Sequence, residues 1–340
     1  MLFGAACAMF FLCPESFVPM QIFCDYHLEP GPLKILEESV RPHKLIFPIK
    51  RETSVLATGQ TDPSFAQADI AFGQPSVASV LKAERLGWIH LTSAGYTRYD
   101  TPEFRAAAQA RRLIVTNSSR VYAEPCAEHL FAFMMAQARK LPIALQTRGG
   151  SDTPQWAQLR SASSCLQYQR VVILGYGSIA IRLIQMLAPF RMEITALRRQ
   201  PKGDETIPIV TAEALPPALA AADHVINILP DNADSRHFID EKRLAGMKPG
   251  AIFYNIGRGA TVNQDDLAAS LHSGHLGAAW LDVTDPEPLP DDHPLLTTPN
   301  CYITPHTAGG HPHESESLVC HFVENFQRYL KQTPLLDRVI

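Results

Sequence analysis

The sequence lacks any C-x-x-C pair, and its seven cysteines are an odd number scattered along 340 residues. This usage excludes a disulfide framework and a zinc ribbon, and it predicts reduced thiols and a cytoplasmic location. An excess of positive charge is absent too, because 30 Lys and Arg face 34 Asp and Glu, for a formal charge of -4. The overall charge therefore argues against a nucleic-acid-binding or membrane-surface protein.

Apolar runs long enough to cross a membrane are also lacking. The opening stretch, residues 2–13, is apolar but too short to span a bilayer, and no Lys or Arg precedes it as in a secretory leader. A strand-like run begins at Met20, directly after Pro19. We therefore expect translation to start at Met20 and residues 1–19 to be a loosely held extension of uncertain status, with export as the lesser alternative.

What the sequence does contain is a regular alternation of short apolar runs and amphipathic stretches. The runs in the first part predict strands at residues 21–24, 44–48, 70–72, 88–91 and 113–116. A long helix at about 125–140 should then connect to a second unit. Strands of that unit are predicted at residues 171–174, 193–197, 224–229, 251–255, 278–282 and 301–304.

This order of elements predicts an α/β protein with two Rossmann-like domains, each built on a parallel doubly wound sheet. A chain of this length suits two domains of usual size. The substrate domain is predicted to be discontinuous and to comprise residues 20–119 and 311–340, because the last helix, at about 314–331, should return to the first unit. Residues 120–310 are predicted to form the dinucleotide-binding domain.

A glycine-rich turn follows the apolar strand at 171–174 and fits the pattern G-x-G-x-x-[GA]. Gly175 and Gly177 occupy the glycine positions, and Ala180 takes the third place. In such a turn the first glycine permits the tight bend, the second lets the backbone approach a diphosphate, and the helix N-terminus faces the phosphates. The expected dinucleotide contacts of this turn also include Tyr176, Ser178 and Ile179.

Polar side chains follow three later strands, at the edge where doubly wound sheets collect ligands. They are Arg258 in the run NIGRG, Glu287 in the run LDVTDPEPL, and His306 in the run TPHTAG. A guanidinium can clamp the carboxylate of a 2-oxo acid, and an imidazolium can protonate its carbonyl oxygen as hydride arrives. A carboxylate beside the imidazole fixes its orientation and favours its charged form. These three residues are the predicted catalytic group.

In these runs, and in their order, the chain resembles the D-isomer-specific 2-hydroxyacid dehydrogenase family. The resemblance implies a hydride transfer between a nicotinamide cofactor and a small 2-oxo or 2-hydroxy acid, in a homodimeric enzyme. It also implies that Asp282 lies near the nicotinamide. The family's carboxylate-binding loop is similar to Ser93, Ala94 and Gly95 here, which are expected to bind substrate together with Arg258. Further expected dinucleotide contacts are Leu229, Pro230 and Ile256.

The end of the second Rossmann strand departs from the pattern that favours NAD. An acid about 20 residues beyond the glycines usually binds the ribose 2'-hydroxyl. Arg198 and Arg199 stand there instead, although exposed arginines are often only solvated charge. The glyoxylate and hydroxypyruvate reductase branch of the family has a similar basic turn. We therefore expect NADP to be favoured over NAD and that branch over the others.

Several alternatives remain open at the level of sequence. A dinucleotide-sensing binding protein, similar to the corepressors that share this scaffold, would have the same fold without turnover. His311 and His313 lie near His306 and Glu314, but their spacing matches no zinc pattern, and we predict no metal. Trp156 is expected either at the substrate mouth or at the surface. The particular acid is not encoded in any motif.

Overall fold

The computed structural model describes residues 18–340. Residues 1–17, which make up most of the predicted N-terminal extension, lie outside the described residues. The expectation about this extension therefore stays a prediction. In the described part of the chain, no helix is both long and apolar enough to cross a membrane.

The first sheet has five strands within the described residues, namely β1 (Gln21–Cys24), β2 (Lys44–Ile46), β3 (Ile70–Gly73), β4 (Trp88–Leu91) and β5 (Ile114–Thr116). All are paired in parallel, in the spatial order β2-β1-β3-β4-β5. Strands β3 and β4 are buried along their whole length, as expected when helices cover both faces. The helices between them are α1 (Pro30–Ser39), α2 (Val77–Lys82) and α3 (Pro102–Arg111).

The second sheet has seven described strands, namely β6 (Arg170–Leu174), β7 (Glu193–Leu197), β8 (Ile209–Val210), β9 (His224–Asn227), β10 (Ile252–Asn255), β11 (Ala278–Leu281) and β12 (Cys301–Ile303). They are also parallel, in the order β12-β11-β10-β9-β6-β7-β8. The strand order reverses between β9 and β6, which opens a crevice at their carboxyl ends. The remaining helices are α4 (Ala123–Ala138), α5 (Leu141–Gln146), α6 (Pro154–Ala162), α7 (Ser178–Leu187), α8 (Leu215–Ala221), α9 (Glu241–Ala245), α10 (Gln264–His272) and α11 (Glu314–Leu330).

Helix α11 crosses back to the first sheet. Its Phe322 stacks on Phe72 of β3 at 4.6 Å and on Trp88 of β4 at 5.2 Å between ring centroids. The end of the chain then joins β5, where the N–H of Val115 donates to the carbonyl of Ile340 over 3.1 Å. The predicted fold class and the return of the last helix are confirmed. The domain boundaries themselves stay predictions.

The spacing of apolar residues in the sequence does not predict strand β8 or helix α6. Strand β8 has only two residues, too few to show an alternation, and it pairs at the edge of the sheet. Helix α6 begins with a usable signal, since the Thr153 side chain caps it and Pro154 takes the first position. Trp156 on α6 is 39% exposed and packs against the Arg160 guanidinium, so of its two expected positions the surface is the one observed.

Candidate active site

Two adjoining cavities lie where the carboxyl ends of the two sheets face each other. The first, of about 440 Å³, is lined by the glycine turn after β6 and is called the glycine cavity. The second, of about 560 Å³, is lined by His306 and the loop after it and is called the histidine cavity. Their shared wall is formed by Ala94, Ile179, Ile256 and Arg258, so the two cavities form one continuous site.

The glycine cavity has the geometry that a dinucleotide diphosphate needs. Gly175 has a φ of +112°, which side-chain-bearing residues rarely adopt, and α7 begins three residues later at Ser178. Gly257, which follows β10, packs closely against the backbone after β9: an added Cβ would be 2.6 Å from the Leu229 carbonyl oxygen. The unsatisfied N–H groups at the start of α7 therefore face a narrow crevice, where an anion is stabilised.

Most of the residues predicted to contact the dinucleotide are brought together here. The residues from that prediction that line the glycine cavity are Gly175, Tyr176, Gly177, Ser178, Ile179, Leu229, Pro230 and Ile256. The sequence did not predict the other lining residues of the glycine cavity that come from loops of the first sheet and from the end of the chain. They are Tyr96, Thr97, Asp100, Asn117, Asp337 and Val339. No local pattern connects such distant segments.

Arg198 and Arg199 lie beyond the glycine cavity, and both are paired. Arg198 Nη1 lies 2.5 Å from Glu205 Oε1, and its guanidinium packs over the Tyr176 ring. Glu205 also accepts hydrogen bonds from the backbone N–H groups of Lys202 and Gly203, and backbone hydrogen bonds together with Arg198 lower its pKa to about 2. An acid therefore does reach this strand end, although the sequence shows none at the usual spacing. Arg199 Nη1 lies 2.8 Å from Asp234, and both of those side chains are largely exposed.

The Arg258 guanidinium lies between the two cavities and is mostly buried. Burial lowers its pKa, and the nearby Glu287, Cys126 and Asp231 oppose that effect. Its Nη1 donates to the carbonyl of Gly257 over 2.6 Å, and no carboxylate of the described residues lies within ion-pair distance. A poorly hydrated cation without an internal counter-ion attracts an external carboxylate strongly.

The loop after β4 lies directly against Arg258. A Cβ on Gly95 would be 2.0 Å from Arg258 Nη2, so a side chain at this position would displace the guanidinium. The loop is rigid, because Ser93 Oγ donates to the Gly95 carbonyl and Asn117 Nδ2 donates to the Ala94 carbonyl. Within the described residues, the N–H groups of Ala94 and Gly95 have no acceptor. Ser93, Ala94, Gly95 and Arg258 are thus brought together as the sequence predicts.

His306 and Glu287 form a direct pair at the other side of the histidine cavity. His306 Nδ1 lies 2.5 Å from Glu287 Oε1, and both side chains are partly exposed, at 25% and 37%. A carboxylate acceptor at Nδ1 fixes the proton there and leaves Nε2 for exchange with a bound molecule. The predicted trio is therefore assembled around one cavity, with His306 and Arg258 in its wall and Glu287 behind His306.

Asp282 forms several hydrogen bonds with the loop that contains His306. It lines the histidine cavity, but its carboxylate accepts the N–H groups of Thr307 and Ala308, both at 2.9 Å, and the hydroxyl of Thr304. These bonds hold the loop in which His306 adopts a φ of +53°, a conformation that costs energy in a non-glycine residue. Asp282 therefore positions the loop of His306; its proximity to a nicotinamide stays a prediction.

His129 joins this network from α4, and no sequence pattern singles it out. Its Nε2 lies 3.7 Å from Asp282 Oδ1 and 3.3 Å from Thr304 Oγ1. Burial lowers the pKa of His129, and the Asp282 charge opposes that effect. Within residues 18–340, no three His, Cys, Asp or Glu side chains are arranged to hold a metal ion.

A diphosphate crevice next to an imidazole, a carboxylate and an unpaired guanidinium defines a dinucleotide-dependent oxidoreductase. Residues 131–308 match the NAD binding domain of D-isomer specific 2-hydroxyacid dehydrogenases, which is just over half of the chain. The chain belongs to this family and is an NAD(P)-dependent oxidoreductase.

Named relatives agree with this membership. The chain is 32% identical over 260 residues to glyoxylate/hydroxypyruvate reductase B of Klebsiella pneumoniae, covering 74% of this chain and 78% of that protein. It is 35% identical over 188 residues to human glyoxylate reductase/hydroxypyruvate reductase, covering 55% of this chain and 57% of that protein. The chain thus spans little more than half of the human relative.

A solved structure shows the same fold. The D-isomer specific 2-hydroxyacid dehydrogenase of Xanthobacter autotrophicus, in complex with NADPH and MES, superposes with a TM-score of 0.76 at 23% identity. The match covers 95% of this chain and 98% of that chain. The two-sheet architecture is therefore shared along almost the whole chain.

The unpaired state of Arg258 leads to a testable expectation. Arg258→Lys keeps the charge but loses the planar fork, so KM should rise and kcat should fall, with kcat/KM for a 2-oxo acid reduced at least about tenfold. Steady-state kinetics measures this effect. Arg236→Lys is the matched control, because Arg236 is exposed and pairs with Asp285 outside both cavities. An Arg258→Lys enzyme with wild-type kinetics would show that another residue binds the carboxylate.

Proposed function

We propose that this protein reduces a small 2-oxo acid to the D-2-hydroxy acid with NADPH as the favoured cofactor, and that its substrates are of the glyoxylate and hydroxypyruvate type. One observation carries the proposal: the paired His306 and the unpaired Arg258 line the same cavity, beside the dinucleotide crevice. The names of the bacterial and human relatives support the choice of acid.

Each polar group around the cavity has a definite task in this reaction. The Arg258 guanidinium and the free N–H groups of Ala94 and Gly95 bind the substrate carboxylate, which fixes the position of the neighbouring carbonyl carbon. The reduced nicotinamide, when bound in the adjoining cavity, supplies the hydride. His306 donates a proton from Nε2 to the carbonyl oxygen, and Glu287 stabilises the cationic imidazole before this transfer.

The residues of the glycine cavity keep the reaction on one face of the carbonyl. Ile179 and Ile256 line both cavities, so they present apolar surface where the glycine cavity meets the histidine cavity. Such walls exclude water and strengthen the charged contacts of Arg258 and His306. A single arrangement of carboxylate, proton donor and hydride source gives a single product configuration, which we propose to be D.

A substrate panel with analysis of product configuration tests this function. The panel contains glyoxylate, hydroxypyruvate, pyruvate and phenylpyruvate, each with NADPH, and the hydroxypyruvate product is separated on a chiral column. We expect hydroxypyruvate and glyoxylate to give the highest kcat/KM and the product to be D-glycerate. An L-product, or a preference for phenylpyruvate, would refute the proposal. The homodimer and the cytoplasmic location of the sequence analysis stay predictions.

A further inference from the structure

We propose that Glu314 is a specificity-determining residue, which makes the enzyme select short 2-oxo acids whose side chain donates a hydrogen bond and carries no negative charge. This inference rests on the proposed function, because it concerns the same cavity. It adds the chemical character of the substrate beyond the reacting carbonyl, which neither the catalytic trio nor the glycine turn determines.

The wall of the histidine cavity that contains Glu314 combines polar, aromatic and aliphatic side chains. Glu314 opens α11, and its Oε1 lies 2.9 Å from the hydroxyl of Tyr122. The hydroxyl of Tyr26 lies close by, 3.2 Å from Ser315 Oγ. The remaining neighbours in this wall, Thr53, Ser54, Val55 and Leu56, come from the loop after β2. The other carboxylate of this cavity, that of Asp282, already accepts hydrogen bonds from the loop of His306.

The carboxylate of Glu314 has hydrogen-bonding capacity left for a ligand. Among the described residues, no Lys, Arg or His forms an ion pair with it. Its neighbour Tyr122 has a single hydroxyl proton, and that hydroxyl also lies 2.7 Å from the Thr92 carbonyl, a competing acceptor. Glu314 lies in the first turn of a 17-residue helix, beside the positive end of the helix dipole. An acceptor of this kind favours a donor group on the substrate.

The histidine cavity therefore has a positive side and a negative side. Cys126 lies in the same cavity: burial raises the pKa of its thiol to about 12, Asp282 and Glu314 also raise it, and Arg258 lowers it. In the proposed binding mode the substrate carboxylate lies at Arg258, its carbonyl at His306 and the group on its third carbon at Glu314, since all three residues line this cavity. A hydroxyl there gains a charge-assisted hydrogen bond, whereas a second carboxylate meets a like charge.

The experiment compares hydroxypyruvate, pyruvate and oxaloacetate with NADPH in the wild type and in Glu314→Gln. In the wild type, kcat/KM should fall in that order. Glu314→Gln should lower the ratio of hydroxypyruvate to pyruvate about fivefold, because a neutral acceptor replaces a charged one, and raise the ratio of oxaloacetate to pyruvate about tenfold. Most of the change should be in KM, because the contact does not involve the reacting atoms.

Glu316→Gln is the matched control. Glu316 lies in the same first turn of α11 and is exposed outside the cavity, so its replacement removes the same charge from the helix N-terminus. Both substrate ratios should stay at their wild-type values in this variant. Equal shifts in the two variants, or unchanged ratios in an active Glu314→Gln enzyme, would overturn the inference alone. A wild type that reduces none of the three acids would overturn the proposed function and this inference together.

Discussion

Replacing His306 with alanine should reduce kcat for 2-oxo acid reduction by about 100-fold or more. In this cavity only an imidazole can deliver a proton near neutral pH and regain it. Glu287 Oε1 lies 2.5 Å from His306 Nδ1, which leaves His306 Nε2 for the substrate. Neither Glu287 nor Arg258 can replace His306 as the proton donor. His306 does not line the glycine cavity, so NADPH binding, measured by fluorescence titration, should persist in the variant.

His313→Ala is the control for this loss. His313 belongs to the same histidine-rich loop, but its side chain is 79% exposed and does not line the histidine cavity. The control variant should keep wild-type kcat and KM. A His306→Ala enzyme that retained more than half of the wild-type activity would assign proton transfer to another group.

Exchanging the arginines after β7 should reverse the choice of cofactor. The double variant Arg198→Asp, Arg199→Ser should lose about tenfold or more in kcat/KM for NADPH and keep or improve that for NADH. An adenosine 2'-phosphate at this strand end would meet two guanidiniums in the wild type and a carboxylate in the variant. Arg199 should contribute most, because Glu205 holds Arg198, whereas the pair of Arg199 with Asp234 is exposed and weak.

Salt and a matched variant separate this effect from general surface charge. An exposed phosphate contact is screened, so KM for NADPH should rise with salt much more than KM for NADH. Arg170→Ser is the control, because Arg170 pairs with Glu193 at 2.9 Å at the opposite end of the same sheet. This variant should leave the cofactor ratio unchanged. Equal or higher kcat/KM with NADH in the wild type would show that neither Arg198 nor Arg199 determines the choice of cofactor.

The site was predictable from sequence where it depends on strand ends. Buried parallel strands appear as short apolar runs, and their carboxyl ends meet at one edge. Arg258 and His306 follow such runs directly, so their convergence could be inferred without coordinates. Gly175 and Gly177 could be assigned for the same reason, because the turn lies between a buried strand and a helix.

Contacts that depend on tertiary packing could not be inferred in this way. Glu205 reaches Arg198 through a turn that its own carboxylate organises, so the strand end has an acid that no fixed spacing predicts. Asp282 follows β11 like a ligand-binding residue, yet its oxygens are used by the backbone of the next loop. Tyr122 and Glu314 are 192 positions apart and meet only because α11 returns to the first sheet.

The most direct test of the account is turnover by the wild-type enzyme. Hydroxypyruvate is added to the protein with NADPH, the nicotinamide absorbance is followed, and dinucleotide binding is titrated in the same preparation. The account predicts NADPH oxidation that requires the 2-oxo acid and yields an equal amount of D-glycerate. Tight binding of NADPH without turnover of any acid in the panel would contradict it, and would identify a dinucleotide-sensing protein on a dehydrogenase scaffold.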